Sequence, residues 1–172
     1  AGHISVPIFS TAGADTIQYV LRHADVKLLF IGKLDNTEDQ VAAVPDSYHT
    51  VAFPYPNLST TQQWAEFIDC PAIDDSPVPD MDQTMTIIYT SGSTGQPKGV
   101  VHTYHSICWA AQRSLNQLNI DTSDRTLSYL PLAHITERVL VELSSFYSGG
   151  QIYFVESLDT FQRDVKACQP TL

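Results

Sequence analysis

The chain has 172 residues, 43% of them hydrophobic and 16% charged, a balance that excludes disorder and allows one ordinary globular core. Its net charge of −10 argues against nucleic acid as a partner, because phosphate backbones attract basic surfaces. Cys70, Cys108 and Cys168 have no C-x-x-C spacing, which removes a zinc framework, gives no disulfide signature and makes a reducing cytoplasm the default.

The opening residues Ala1-Gly2-His3-Ile4-Ser5-Val6-Pro7 carry no initiator Met and no basic segment before an apolar one, so they read as a strand entered mid-protein and not as a signal peptide. The strand candidate runs from His3 to Phe9. A helix follows with Ile17, Val20 and Leu21 at i, i+3, i+4 spacing, and Val26 to Ile31 is a compact apolar strand. Asp35 to Val44 reads as a helix ended by Pro45, His49 to Phe53 as a strand stopped by Pro54 and Pro56, and Thr60 to Ile68 as a short helix. Residues 69–82, with three prolines and several aspartates, form the clearest loop.

Beyond that loop the pattern sharpens. Thr84 to Tyr89 is a strand rich in Thr, Ile and Tyr, followed by a glycine-rich segment and a helix from His102 to Asn119 with Ile107, Ala111, Leu115 and Leu118 on one stripe. Arg125 to Leu130 is a strand halted at Pro131. Thr136 is placed to cap a helix carrying Val139, Leu140, Leu143 and Phe146, and Gly149-Gly150 end it. Gln151 to Val155 is a strand, and Ser157 caps a last helix. The alternation predicts an α/β fold with a mostly parallel sheet flanked by helices. No internal repeat or interdomain linker is visible, unless the acidic Pro-rich loop separates two subregions. No apolar run approaches the ~18 residues that a membrane-spanning helix needs.

Charge is distributed unevenly. No Lys or Arg lies between Leu34 and Pro97, whereas ten acidic residues do, a pattern that reads first as a solvated face. Lys98 is the next cation after Lys33, and it closes the segment Tyr89-Thr90-Ser91-Gly92-Ser93-Thr94-Gly95-Gln96-Pro97-Lys98-Gly99. Gly92, Gly95 and Gly99 allow positive φ and close approach of a ligand to the backbone. Thr90, Ser91, Ser93 and Thr94 supply hydroxyls beside backbone N–H groups, and Lys98 adds a point charge suited to phosphate. Set between a strand and a helix, this composition describes a cradle for a polyphosphate. It is not a Walker A loop, since Pro97 and Gly99 occupy the positions of that motif's second Gly and its Ser/Thr. Nor is it a G-x-S-x-G nucleophile elbow, since Ser91 stands two places before Ser93. A flexible Ser/Gly loop without a ligand is the bland alternative, disfavoured by the strand before it and by Lys98.

At these residues the sequence resembles the adenylate-forming superfamily of acyl- and aryl-CoA synthetases, nonribosomal adenylation domains and beetle luciferases. Thr90 to Gly99 is similar to that superfamily's phosphate-binding signature. Leu130-Pro131-Leu132-Ala133-His134-Ile135-Thr136-Glu137-Arg138 resembles its next motif, in the wording of long-chain fatty acyl-CoA synthetases. The start at Ala1 to Phe9, Asp124-Arg125 and Ser148-Gly149-Gly150 also fit, so the resemblance spans the chain. It implies attack of a carboxylate on ATP with Mg²⁺ to give acyl-adenylate and pyrophosphate, then transfer to CoA. It assigns Thr90, Ser91, Gly92, Ser93, Thr94, Gly95 and Lys98 to the ATP phosphates and His134 to the acyl-adenylate pocket. A helix-entry role is the structural alternative for His134. Glu137 and Arg138 are expected to pair with neighbouring groups. His102 and His105, read as i and i+3 on one helix, suggest a metal until the lack of a third ligand is noted, so no metal site is assigned.

Nothing in the chain resembles the family's later Tyr-Gly-x-Thr-Glu segment, its ribose-binding Asp motif or its C-terminal Lys. The expectation is therefore a piece, residues 1–172, of a large N-terminal AMP-binding domain without the C-terminal domain, with no complete catalytic set and no activity alone. Other expectations are small-molecule partners only (ATP, a carboxylic acid and CoA), self-association through uncovered faces, and a cytoplasmic location open to peripheral membrane contact. Two alternatives stand beside the fatty-acid ligase: an adenylation domain for amino or aryl acids, and a non-catalytic nucleotide-binding module.

Overall fold

The computed structural model describes residues 2–55, 58, 60–75, 77–90 and 95–172, so Ser91, Gly92, Ser93 and Thr94 lie outside the described residues. The chain divides into two compact units. One comprises residues Ala1–Val78 and Tyr89–Val100, the other Pro79–Ile88 and Val101–Leu172. The first break falls inside the acidic Pro-rich loop, whose described residues are almost all exposed, as its charge requires.

In the first unit, helix α1 (Ala14–His23) leads to strand β1 (Leu28–Ile31), helix α2 (Thr37–Ala42), strands β2 (His49–Ala52) and β3 (Gln62–Gln63) and the single turn α3 (Trp64–Phe67). The three strands form a parallel sheet in the order β1-β2-β3, with Leu28 opposite His49 and Val51 opposite Gln62. The apolar spacing that marks α1 as amphipathic places Ile17 and Leu21 in a core with Ala43, closed by Ile8, Val26, Leu29 and Tyr48. Asn36 caps α2 by accepting a bond from the Asp39 N–H, and the buried Gln40 side chain donates to the carbonyls of Ser10 and Ala12. Those bonds hold the segment before α1 without a ladder. The strand expected at His3 to Phe9 is absent, and only an isolated bridge at Ser5 remains. Thr60 to Ile68 is likewise mostly non-helical, because Gln62 and Gln63 pair with β2 instead.

The second unit contains most of strand β4 (Thr84–Thr90), the end of strand β5 (Lys98–Thr103), helix α4 (Tyr104–Leu118) and strand β6 (Arg125–Ser128). A π-helical segment (Glu137–Leu143) follows, continuous with helix α5 (Ser144–Ser148), then strand β7 (Gln151–Phe154) and helix α6 (Phe161–Cys168). Strands β6 and β7 are parallel, with Arg125 opposite Gln151 and Ser128 opposite Phe154. The core gathers Ile107, Ala111 and Val139 with Met85, Leu140 and Leu143. Gly149 ends α5 at φ +73°, and a Cβ on Gly150 would come within 3.2 Å of the Asp124 carbonyl, which explains the glycine pair. The chain end is stitched to β6: the Arg125 guanidinium donates to the Cys168 and Gln169 carbonyls, and the Thr171 N–H donates to the Arg125 carbonyl. Ser157 does not cap α6 itself. It accepts from the Thr160 N–H across the turn that precedes the helix.

Strand and helix alternate as expected, and the β1–β2, β2–β3 and β6–β7 ladders are parallel, so the class is α/β. No helix among the described residues is long and apolar enough to cross a membrane.

Candidate functional site

The glycine-rich segment joins β4 to β5, which pair as a two-stranded sheet. A connection this short is far below the dozen or more residues that a parallel crossover needs, so β4 and β5 form a hairpin. This corrects the expectation of a strand-loop-helix unit: residues 98–103 are a strand, and α4 begins only at Tyr104. Val100, Val101 and Thr103 are β-branched, which favours the extended form over the helix. Gly99 consequently lies in β5 without the positive φ expected of it, whereas Gly95 adopts φ +88°.

Thr90 is the exposed last residue of β4 and Lys98 the exposed first residue of β5, so the two stand at opposite ends of the connection. Lys98 has no ion-pair or hydrogen-bond partner among the described residues. Ser91, Gly92, Ser93 and Thr94, the centre of the expected cradle, lie outside the described residues.

Directly before Thr90, Tyr89 is buried, and its hydroxyl lies 2.7 Å from His23 Nδ1. The Tyr19 ring stacks on His23 and meets Tyr89 edge-on. Burial, and secondarily the neighbouring Tyr19, push the Tyr89 phenol above its ordinary pKa. Sequence reading missed His23 because its partner is 66 residues away. The only signal was the one aromatic residue of β4, next to last in the strand and beside the loop.

In the second unit, His134 is exposed at the bend that enters the π-helical segment. Its N–H donates to the Pro131 carbonyl, its carbonyl accepts from the Arg138 N–H, and its Nδ1 accepts from the Thr136 N–H at 3.3 Å. That last bond places the ring proton on Nε2 and leaves an outward donor. Thr136 does not cap the helix with its side chain; the His134 ring nitrogen fills that place. Glu137 and Arg138 are both buried. The Glu137 carboxyl accepts from Ser128 Oγ at 2.5 Å and from the Leu130 N–H at 3.3 Å, tying the end of β6 to the segment that follows His134. Arg138 bonds Glu142 at 3.1 Å and reaches Thr86 on β4.

His102 and His105 are not one helical pair: His102 belongs to β5 and His105 to α4. Both line a groove of about 500 Å³ with Trp109, Ile135 and Val139. Among the described residues no three of His, Cys, Asp or Glu group closely enough to hold a metal ion.

The model of the AMP-binding enzyme family matches residues 1–172, and the chain belongs to that family. It is 31% identical to fatty acyl-CoA synthetase A of Dictyostelium discoideum over 98% of its own length and 27% of that protein's. It is 27% identical to the human long-chain-fatty-acid–CoA ligase ACSBG2 over its whole length and 28% of that protein's. The chain therefore spans little more than a quarter of these relatives. Among solved structures it superposes on the anthranilate CoA ligase AuaEII, in complex with anthranoyl-AMP, with a TM-score of 0.82 at 21% identity, covering 98% of this chain and 34% of that one. The O-succinylbenzoate coenzyme A synthetase MenE of Bacillus subtilis, with ATP and magnesium, gives a TM-score of 0.71 at 22% identity over 98% and 33%. These two likenesses establish the shared fold.

Proposed function

We propose that the chain supplies the ATP-phosphate loop and part of the acyl-adenylate pocket of an acyl-activating ligase acting on long-chain fatty acids. The observation that carries this reading is the placement of Thr90 and Lys98 at the two ends of the β4–β5 connection, in a chain matched by the AMP-binding enzyme family throughout. Thr90, Ser91, Gly92, Ser93, Thr94 and Gly95 would wrap the β- and γ-phosphates, and Lys98 would neutralise them as pyrophosphate leaves. The His134 Nε2–H would donate to the carboxylate or the adenylate carbonyl. A CoA thiol then accepts the acyl group and AMP departs. Mg²⁺ bound with ATP would supply charge neutralisation at the phosphates.

The fatty-acid reading draws support from the two relatives named for that activity and from the largely apolar lining of the groove that reaches Ile135, next to His134. The test is ATP–pyrophosphate exchange by the full-length protein across fatty, aryl and amino acids. Exchange driven by fatty acids is expected. A response only to aryl or amino acids would replace the substrate, and no exchange with any acid would favour a nucleotide-binding module. Lys98→Ala should weaken ATP binding about tenfold or more, the worth of a charge-assisted bond. Unchanged ATP affinity and exchange would remove Lys98 from its assigned role.

A further inference from the structure

We propose that His23 and Tyr89 form a positioning pair that fixes where β4 delivers Thr90, the first residue of the phosphate loop. The inference rests on reading residues 90–99 as that loop. Side chains alternate across a strand, so Tyr89 and Thr90 project from opposite faces of β4. Burial agrees: Tyr89 is 7% exposed, and Thr90 is open to solvent. Tyr89 therefore cannot touch a ligand that Thr90 faces, and any influence it has passes through the backbone they share.

The anchor at its other end is rigid. His23 occupies the last turn of α1, whose Ile17 and Leu21 are fixed in the core of the first unit. The 2.7 Å bond between the Tyr89 hydroxyl and His23 Nδ1 is reinforced by three ring contacts, with centroids 5.1 Å apart for Tyr19–His23, 5.8 Å for His23–Tyr89 and 6.4 Å for Tyr19–Tyr89. Burial of the ring alone would be satisfied by phenylalanine. The hydroxyl adds a directional link that sets how far along its axis the strand end sits. Holding a binding loop near its bound position lowers the ordering cost of ligand capture, so the pair should act on ATP affinity more than on chemistry.

The test compares Tyr89→Phe, His23→Ala, the double variant and His23→Asn in the full-length protein, with Lys98→Ala as reference. Tyr89→Phe keeps the packing and removes only the oxygen. His23→Asn keeps an acceptor near the place of Nδ1. Tyr89→Phe and His23→Ala should each raise KM for ATP about three- to tenfold, the range of one lost neutral hydrogen bond. KM for the acid and kcat should move less than about twofold on the same scale. The double variant should be no worse than either single one, and His23→Asn should recover part of the loss. An unchanged KM for ATP in Tyr89→Phe, multiplicative losses in the double variant, or equal losses for ATP and the acid would each overturn the pair. If Lys98→Ala leaves KM for ATP unchanged, the phosphate-loop reading itself fails. If Lys98→Ala raises it and Tyr89→Phe does not, only the positioning pair fails.

Discussion

Single side chains around the proposed phosphate loop divide into those whose role follows from their type and those whose role follows from their neighbours. Lys98 belongs to the first kind, since an exposed ammonium beside a glycine-rich turn suits phosphate whatever surrounds it. Tyr89 belongs to the second. Burial raises its pKa above the ordinary 10.0, which gives its contribution to stability a definite sign with pH. The unfolded phenol ionises near 10 while the folded one keeps its proton longer. The stabilisation is therefore whole below that pH and is lost as pH rises through the folded value. Thermal unfolding followed from about pH 9 to about pH 11 should show a steeper loss of Tm for the native sequence than for Tyr89→Phe. Equal slopes would mean that the phenol titrates like an exposed one.

Among the elements, the π-helical segment after His134 departs furthest from the sequence pattern. Val139, Leu140 and Leu143 fit an ordinary amphipathic helix, and the core does collect them. The wider turn shows in the bonds: the Ser144 N–H reaches back to the Val139 carbonyl, five residues earlier, and the Ser144 hydroxyl joins it at 2.8 Å. Glu137 holds the start of this segment by receiving two donors, Ser128 Oγ and the Leu130 N–H. In Glu137→Ala both donors would lose their acceptor at this part-buried junction, at a cost of about 1–3 kcal/mol. Urea unfolding should show a lower midpoint with an unchanged slope. A midpoint equal to that of the native sequence would show that Glu137 does not bear the junction between β6 and the helix. Strand β5 makes the opposite case. Its β-branched residues were visible in the sequence, but helical periodicity running back to His102 masked them, and pairing with β4 decided the matter.

For the whole molecule, extent is the governing fact. The chain matches its family from end to end yet spans little more than a quarter of the fatty acyl-CoA synthetase and ligase it resembles. Adenylation requires groups around the α-phosphate and the ribose as well as a grip on the β- and γ-phosphates. The 172-residue chain incubated with ATP, Mg²⁺, palmitate and CoA should therefore form no thioester. Palmitoyl-CoA above the enzyme-free control would show that the described elements suffice for catalysis.

The sequence by itself determined the class of fold and the family, and it nominated the residues proposed to meet phosphate. Each depends on local signals: apolar periodicity, glycine and proline punctuation, and an ordered motif in which hydroxyls, glycines and one lysine are contiguous. Tertiary structure decided what depends on distant partners. It turned the loop's far side into a strand, because a hairpin ladder satisfies backbone groups that a free segment would leave to water. It buried Glu137 and Arg138 and chose the partners that their sequence left unnamed, Ser128, Glu142 and Thr86. It joined His23 to Tyr89 across 66 residues, a pairing that no spacing rule encodes because only the packing of α1 beside the end of β4 creates it.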